Sequence, residues 1–319
     1  MLSGLSWPAV AVLLAAGVLL DLLLGEARRY HPLVGFGNLA GAIERRMNKG
    51  GMRIGRGALG WGLAVLPLTA AAVWLCGLAG AVAHGLLLYF CIGLRSLRDH
   101  NLPIAAALRG GDLAAARELT GRIVSRDTFD ASEADLAKAS AESLLENGND
   151  AVFGTLFWFA VAGGPGALLF RLANTLDAMW GYRNQRFLLF GRVAARVDDA
   201  LNYVPARLTA LSYVLLAPGA AGKRTAWRCW REQAPAWSSP NAGPVMASGA
   251  GALGLSLGGA ARYDGEIEQR PPLGRGAPAA AGDIERAWRL VWHATLLWLM
   301  LAAVSAVSAV MTGAGVRHA

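Results

Sequence analysis

From Gly57 to Leu94 the chain runs for 38 residues without a formally charged side chain. A single helix of that length would extend about 57 Å, nearly twice the hydrocarbon thickness of a bilayer. Two helices joined by a turn near Cys76–Gly80 fit the length better. A first apolar stretch, Trp7 to Leu24, reads as a retained membrane helix rather than a cleaved leader, because no basic region precedes it and Asp21 interrupts it. A third runs from Ala151 to Phe170 and a last from about Leu290 to Met311. With 55% hydrophobic and 16% charged residues and a mean hydropathy of +0.38, the composition excludes an ordinary soluble domain, in which about 25% of residues are charged. The expected fold is all-α: a polytopic membrane protein of about 4–6 membrane helices, one of them broken or re-entrant, with a cytoplasmic helical region.

Charge placement orients the chain. Seven Lys/Arg fall between Arg28 and Arg56, which puts that loop on the cytoplasmic side and the uncharged start outside. The net charge of +8 therefore serves orientation and not nucleic-acid binding, and eleven tryptophans suit interfacial anchoring. Cys76, Cys91 and Cys229 lack paired spacing, so neither a zinc site nor a disulfide framework is expected. Five segments follow: membrane helices with a basic loop over 1–94, a cytoplasmic helical segment over 95–150, a broken membrane segment with a polar block over 151–222, loops with short helices over 223–289, and a C-terminal membrane helix over 290–319. Within the second, Gly110-Gly111 breaks a helix–turn–helix rhythm, and Asp130 with Glu133 reads as a capping pair for a helix running to about Glu146.

The segment 151–170 poses a problem. A single crossing would carry the arginine-rich stretch 171–207 outside, against the charge rule. "GGPG" at 163–166 resolves it by breaking the helix, which keeps both polar ends on one side. Backbone broken at that depth must be covered by protein or line a watery cavity.

The polar groups hemming that segment are the candidate site. Glu142 and Glu146 lie four apart on one helix face, extended by Asp150. Like charges so spaced repel, so a cation such as Lys138 or Arg126 should compensate. Arg171, Asn174 and Asp177 share a second face. Arg192, Arg196, Asp199 and Asn202, with Asp198 adjacent, make a third. Ionisable groups beside membrane spans usually mark function. Carboxylates with amides suit Mg²⁺, and Arg183, Arg186, Arg196 and Arg207 suit phosphate or carboxylate. This chemistry describes Mg²⁺ and a phosphorylated ligand at the cytoplasmic face, without naming a reaction. Of the histidines, only His31 before Pro32 lies in a candidate loop, where a turn role is as good a reading. The GxGxxG spacing of Gly249, Gly251 and Gly254 lacks the strand–helix context of a dinucleotide site, and its small residues suit close helix packing. "PGAAGKRT" fails as a P-loop, since Arg224 stands where a hydroxyl is needed.

"ESLLENGNDAVFGTLFWF", "LANTLDAMWGYRNQRFLLFGRVAARVDDALNYVPARLTA" and "SPNAG" resemble the CobD/CbiB family of cobalamin biosynthesis, as do "DLLLGEARRYHPLVGFGNLAGAIE" and "LGGAARYDGEIEQRPPLGRG". The resemblance covers nearly the whole chain, departing where "PVMASGAG" follows "SPNAG" in place of an aromatic-Pro-Glu run. It implies an ATP- and Mg²⁺-dependent ligase of the inner membrane, with its site facing the cytoplasm. Such an enzyme joins adenosylcobyric acid to aminopropanol phosphate, aminopropanol or ethanolamine phosphate, giving adenosylcobinamide phosphate. Its expected partners are these substrates, the lipid bilayer and other membrane enzymes of the pathway. On this reading Glu142, Glu146, Asp177 and Asp199 are catalytic, and Glu142, Glu146 and Asp150 hold Mg²⁺. Arg183, Arg186 and Arg207 clamp phosphates, while Asn147, Asn174, Asn202 and Asn241 orient amides and water around the corrinoid. The competing readings are an AmpE-like signalling protein and a corrinoid transporter or binding protein.

Overall fold

The computed structural model describes residues 2–26 and 31–316, with side chains as far as Thr312. Arg28 of the basic stretch and the last residues of the C-terminal tail lie outside the described residues. Eleven α-helices are described: α1 Trp7–Leu24, α2 Pro32–Met47, α3 Arg53–Cys91, α4 Leu94–Arg109, α5 Leu113–Gly121, α6 Glu133–Gly148, α7 Gly154–Trp180, α8 Arg192–Leu216, α9 Gly219–Gln233, α10 Ala242–Leu253 and α11 Ala281–Val316. A three-stranded sheet, β1 Leu255–Tyr263, β2 Glu266–Gly274 and β3 Ala277–Pro278, interrupts them. The chain divides into two compact units. The first holds Met1–Gly93, Asp150–Asn202 and Leu299–Ala319; the second holds Leu94–Asn149 and Tyr203–Trp298.

Four helical stretches are long and apolar enough to cross a membrane by length and composition: Trp7–Leu24, Arg53–Arg109, Glu133–Trp180 and Ala281–Thr312. In the first unit the 38-residue uncharged run does break where its length requires. Gly80 takes φ 54° and ψ −135°, dividing α3. Gly163 takes φ 66° and ψ −155°, dividing α7 at the expected "GGPG". Only glycine occupies that region without strain. The break in α7 is also tightly packed. The Gly164 N–H donates to His84 Nδ1 at 2.8 Å, and a Cβ on Gly163 would lie 2.4 Å from the same nitrogen. Beyond the breaks, Ala64 and Val65 of α3 pack with Leu172, Leu176 and Trp180 of α7, together with Phe36, Ala40, Phe190 and Ala194. The basic loop is partly ordered by α2, whose N-terminus is capped by His31 through Nδ1 accepting from the Leu33 N–H. That fixes the turn role for this histidine.

The second unit follows the expected rhythm at its start. Gly111, at φ 73°, separates α4 from α5, and Asp112 caps α5 by accepting from the Ala115 N–H. At α6 the cap is Ser132, which accepts from the Asp135 N–H, and not the expected Asp130–Glu133 pair; Asp130 pairs with Arg262 instead. The larger correction falls on 223–289. Expected as loops with short helices, it does hold the helices α9 and α10, but it also forms a sheet that was not expected. Asp264-Gly265, both at positive φ, makes the two-residue turn between β1 and β2, the Asp-Gly hairpin signal that alternating neighbours normally flag. Likewise 207–222, too short for a span by hydropathy, is largely the second half of α8.

All twelve residues of α10 are buried, and its small side chains explain the GxGxxG spacing. A Cβ on Gly249 would meet Leu145 at 2.6 Å and one on Gly251 would meet Ala226 Cα at 2.8 Å. Gly254, at φ 65°, ends the helix in the left-handed conformation. The spacing serves close packing and a helix stop. Cys76, Cys91 and Cys229 are free and buried.

These breaks predict an ordered pair of effects. Gly163→Ala should lower the thermal midpoint of detergent-solubilised protein, at a cost of about 2 kcal/mol or more, from backbone strain plus the clash with His84. Gly80→Ala, where an added Cβ meets nothing within 4 Å, should cost less. Equal midpoints for Gly163→Ala and wild type would contradict the packing at the break.

Candidate active site

Glu142 is 2% exposed on α6, and a carboxylate so buried needs compensation. It accepts four hydrogen bonds from three partners. Arg126 donates to Oε2; Arg270 donates Nη1 to Oε2 at 3.0 Å and Nη2 to Oε1 at 3.2 Å. The Gly258 N–H donates to Oε1 at 2.7 Å. That last donor depends on the sheet. A register irregularity falls between Gly258 and Gly259, and such a bulge re-aims local backbone groups. Arg270 stands across from Gly259 and donates Nε to its carbonyl. The compensating cation expected beside Glu142 is thus Arg126, joined by Arg270, while Lys138 turns to Asp135 and the Ala260 carbonyl.

This cluster forms one wall of a cavity of about 440 Å³, lined also by Ser143, Glu146, Asn147, Trp237, Met246 and Glu268. That volume is typical of small-molecule sites. Arg270 sits over the Trp237 ring at 5.7 Å, and Asn147 Nδ2 donates to Ser143 Oγ at 3.0 Å. A smaller cavity of about 200 Å³ lies beside it, sharing Arg126 and lined by Asp127, Asp130, Lys138 and Arg262. The sequence reading placed Glu142, Glu146 and Asn147 here and missed Arg270 and Trp237. The Asp-Gly hairpin was the signal that would have brought Arg270 back over Glu142.

Nearby in the same unit, Arg207 braces the "SPNAG" turn. Its Nη1 donates to Asn241 Oδ1 at 2.6 Å, its Nη2 to the Pro240 carbonyl at 2.9 Å, and it stacks over Tyr203 at 3.6 Å. Asn149 Oδ1 accepts from Thr209 Oγ1 at 3.0 Å. Asn149–Phe153 is a π-helical turn, a feature frequent at functional sites.

The first unit gathers a second polar group. Asn202 Nδ2 donates to both oxygens of Asp198, each at 3.2 Å, and Asn174 Nδ2 donates to Asp198 Oδ1 at 3.3 Å. Two clusters that the sequence lays on separate helix faces therefore meet. Burial pushes the Asp198 carboxyl well above the ordinary carboxylate range, and Asp150 and Asp177 push it further, against the two amide donors. Burial also raises Asp199, opposed by Arg196 and Arg183. Asp150 thus acts with Asp177 and Asp198, whereas the Glu142 oxygens are taken by guanidinium groups. Among the described residues no three His, Cys, Asp or Glu form a ready-made metal site. Arg186 is likewise engaged: Nε and Nη2 grip Glu44 at 3.0 and 2.6 Å, and Asn48 donates to the same carboxylate at 2.8 Å.

The CobD/Cbib protein family matches residues 14–291. The chain belongs to that family. It is 57% identical over 289 residues to a cobalamin biosynthesis protein CobD from Stutzerimonas stutzeri, covering 89% of this chain and 94% of the relative. It is 54% identical over 314 residues to the CobD protein of Chromobacterium violaceum, covering 95% and 98%. With the CobD protein of Geobacter metallireducens it shares 41% over 310 residues, covering 93% and 96%. No solved structure matches the chain.

Two outcomes follow from these ion pairs. Glu142→Ala strands two buried guanidinium groups and should destabilise the protein by roughly 3–5 kcal/mol, read as a fall in the denaturation midpoint; an unchanged midpoint would refute the role of this carboxylate. The Arg186 contact, ahead of that from Asn48, holds Glu44 below its ordinary 4.5 although burial opposes it. A lowered carboxyl contributes stability that is complete above its unfolded value and lost as pH falls through the folded value. Midpoints measured below pH 4.5 should therefore fall less steeply in Glu44→Gln than in wild type, whose ion pair is still intact at neutral pH.

Proposed function

We propose that this protein joins adenosylcobyric acid to (R)-1-amino-2-propanol phosphate, or to ethanolamine phosphate or aminopropanol, through an amide bond, giving adenosylcobinamide phosphate. The observation that carries this reading is the family match along almost the whole chain, together with relatives above half identity that bear the name cobalamin biosynthesis protein CobD. The polar chemistry supports it. Making an amide from a free carboxylate requires a leaving group, which ATP supplies in this reading as an acyl phosphate. Transfer of a phosphoryl group calls for positioned cations and few other catalytic parts.

Mg²⁺ suits the first unit better than the Glu142 cavity, where two guanidinium groups repel a cation. Asp150, Asp177 and Asp198 offer hard oxygen donors whose mutual repulsion a cation relieves, and the amides of Asn174 and Asn202 already hold Asp198. Mg²⁺ needs only one or two carboxylates, with waters and substrate phosphate completing its shell; bound there, it would neutralise phosphate charge. Arg183 and Arg196, whose charges act on Asp199, are the cations available to phosphate beside it. Glu146, which lines the cavity and acts electrostatically on Arg270, would accept a proton from the incoming amine in this reading. Apolar helices and basic connecting segments support a multi-pass protein of the inner membrane with its polar groups toward the cytoplasm.

The deciding experiment is an amide-forming assay on purified, solubilised protein with adenosylcobyric acid, aminopropanol phosphate, ATP and Mg²⁺, followed by mass spectrometry of the corrinoid. Product is expected only when ATP and Mg²⁺ are both present, and Asp198→Asn should reduce the rate at least about tenfold. Tight corrinoid binding without product would favour a binding or transport role.

A further inference from the structure

Helix α9, Gly219–Gln233, has two unlike faces. Ala226 and Cys229 are buried on its inner face against Gly251 of α10, where an added Cβ would lie 2.8 Å from Ala226 Cα. At about 100° per residue the opposite face presents Arg224, Trp227, Arg228 and Arg231, with Lys223 at its edge, and all five are exposed. Among the described residues none of these four cations enters an ion pair. Glu232, the one carboxylate on the helix, turns to Arg275 instead. Like charges one turn apart, such as Arg224 and Arg228, repel, so this face gains from an anionic surface. The preceding helix adds an apolar half. Along α8, Val204, Leu208, Leu211 and Leu215 are all exposed, and their spacing stacks them in one stripe. The stripe is about 17 Å long, too short to cross a hydrocarbon core of about 30 Å. Beside it Ser212 Oγ accepts from Trp298 Nε1 at 2.9 Å, and Trp298 lies on α11, a helix long and apolar enough to cross a membrane. The stripe therefore continues a membrane-spanning helix, and the basic face of α9 follows where the chain turns at Pro218.

We infer that α8 and α9 anchor the second unit to the membrane surface, with the α8 stripe in the apolar layer and the α9 face on anionic phospholipid headgroups. Trp227 takes the interfacial level that amphipathic rings favour, and the guanidinium groups around it meet lipid phosphate through charge-assisted hydrogen bonds. A second copy of this chain is a poor occupant, because a two-fold contact on this face would set the same cations against each other. An acidic polypeptide or a nucleic acid would satisfy the charge but leave the α8 stripe in water. The anchor does not depend on the ligation chemistry.

The test is fluorescence quenching of the full-length protein in lipid nanodiscs, made from phosphatidylcholine alone or with phosphatidylglycerol added. The Trp227 signal is taken as wild type minus Trp227→Phe, a change that keeps an aromatic ring beside Trp230. Phospholipid brominated near the headgroup end of its chains reports lipid contact, and acrylamide reports water. In the anionic discs Trp227 should be quenched by the brominated lipid and shielded several-fold from acrylamide. In phosphatidylcholine discs, or in high salt, that shielding should fall several-fold. The triple change Arg224→Gln, Arg228→Gln and Arg231→Gln, all at exposed positions, should lower the docked-to-free ratio in anionic discs about fivefold for each charge removed. Equal access of acrylamide to Trp227 in both kinds of disc would overturn the anchor. So would lipid quenching that ignores both headgroup charge and the triple change, since the basic face would then have no part in it. Shielding that grows with the number of protein copies per disc, whatever the lipid, would assign the face to a second copy and overturn the anchor as well.

Discussion

The second unit is organised around one buried carboxylate. Glu142 on α6 holds Arg126 from the segment before it, Arg270 from β2 and the Gly258 N–H of β1, at the register shift opposite Pro271. Those partners come from 16, 128 and 116 residues away in sequence, so a single charge fixes how a helix, a connecting segment and a hairpin meet. Removing the charge would leave two cations in a poorly solvated place, which is far worse than never having built the cluster.

In the first unit the governing constraint is length against bilayer thickness. An uncharged run too long for one span must break, and the apolar run of α7 breaks as well. Both breaks fall on glycine, because a Cβ forbids the required dihedrals. At Gly163 the break is locked by His84, whose ring nitrogen takes up the freed Gly164 N–H. A backbone donor exposed by a broken helix thereby finds a protein partner, as apolar surroundings demand. The polar residues that hem the apolar segment are then explained without expense to lipid: Asp198 is held by Asn174 and Asn202, and Arg186 by Glu44.

The two polar groups have opposite electrostatic character. Around Glu142 two guanidinium groups hold one buried carboxylate, with Glu146 and Glu268 elsewhere on the cavity lining. Around Asp198 carboxylates gather with amide donors. The proposed ligation, with a nucleotide and a phosphorylated amine as substrates, would use polar groups of both kinds.

The sequence by itself determined the membrane class, the places where α3 and α7 break, the α4–α5 rhythm and the family, because each depends on local composition or on residues in one continuous block. Glu142, Glu146 and Asn147 were legible as a helix face by their spacing. Tertiary structure decided which charges meet. The metal set expected from Glu142, Glu146 and Asp150 looked sound along one helix, yet Arg126 and Arg270 claim the first of these and Asp150 shares its field with Asp177 and Asp198. Helical periodicity reports only which side chains share a face. Whether that face meets a cation, a carboxylate or a backbone donor is set by elements 16 to 128 residues distant, and here by a two-residue hairpin turn and a one-residue slip in strand register.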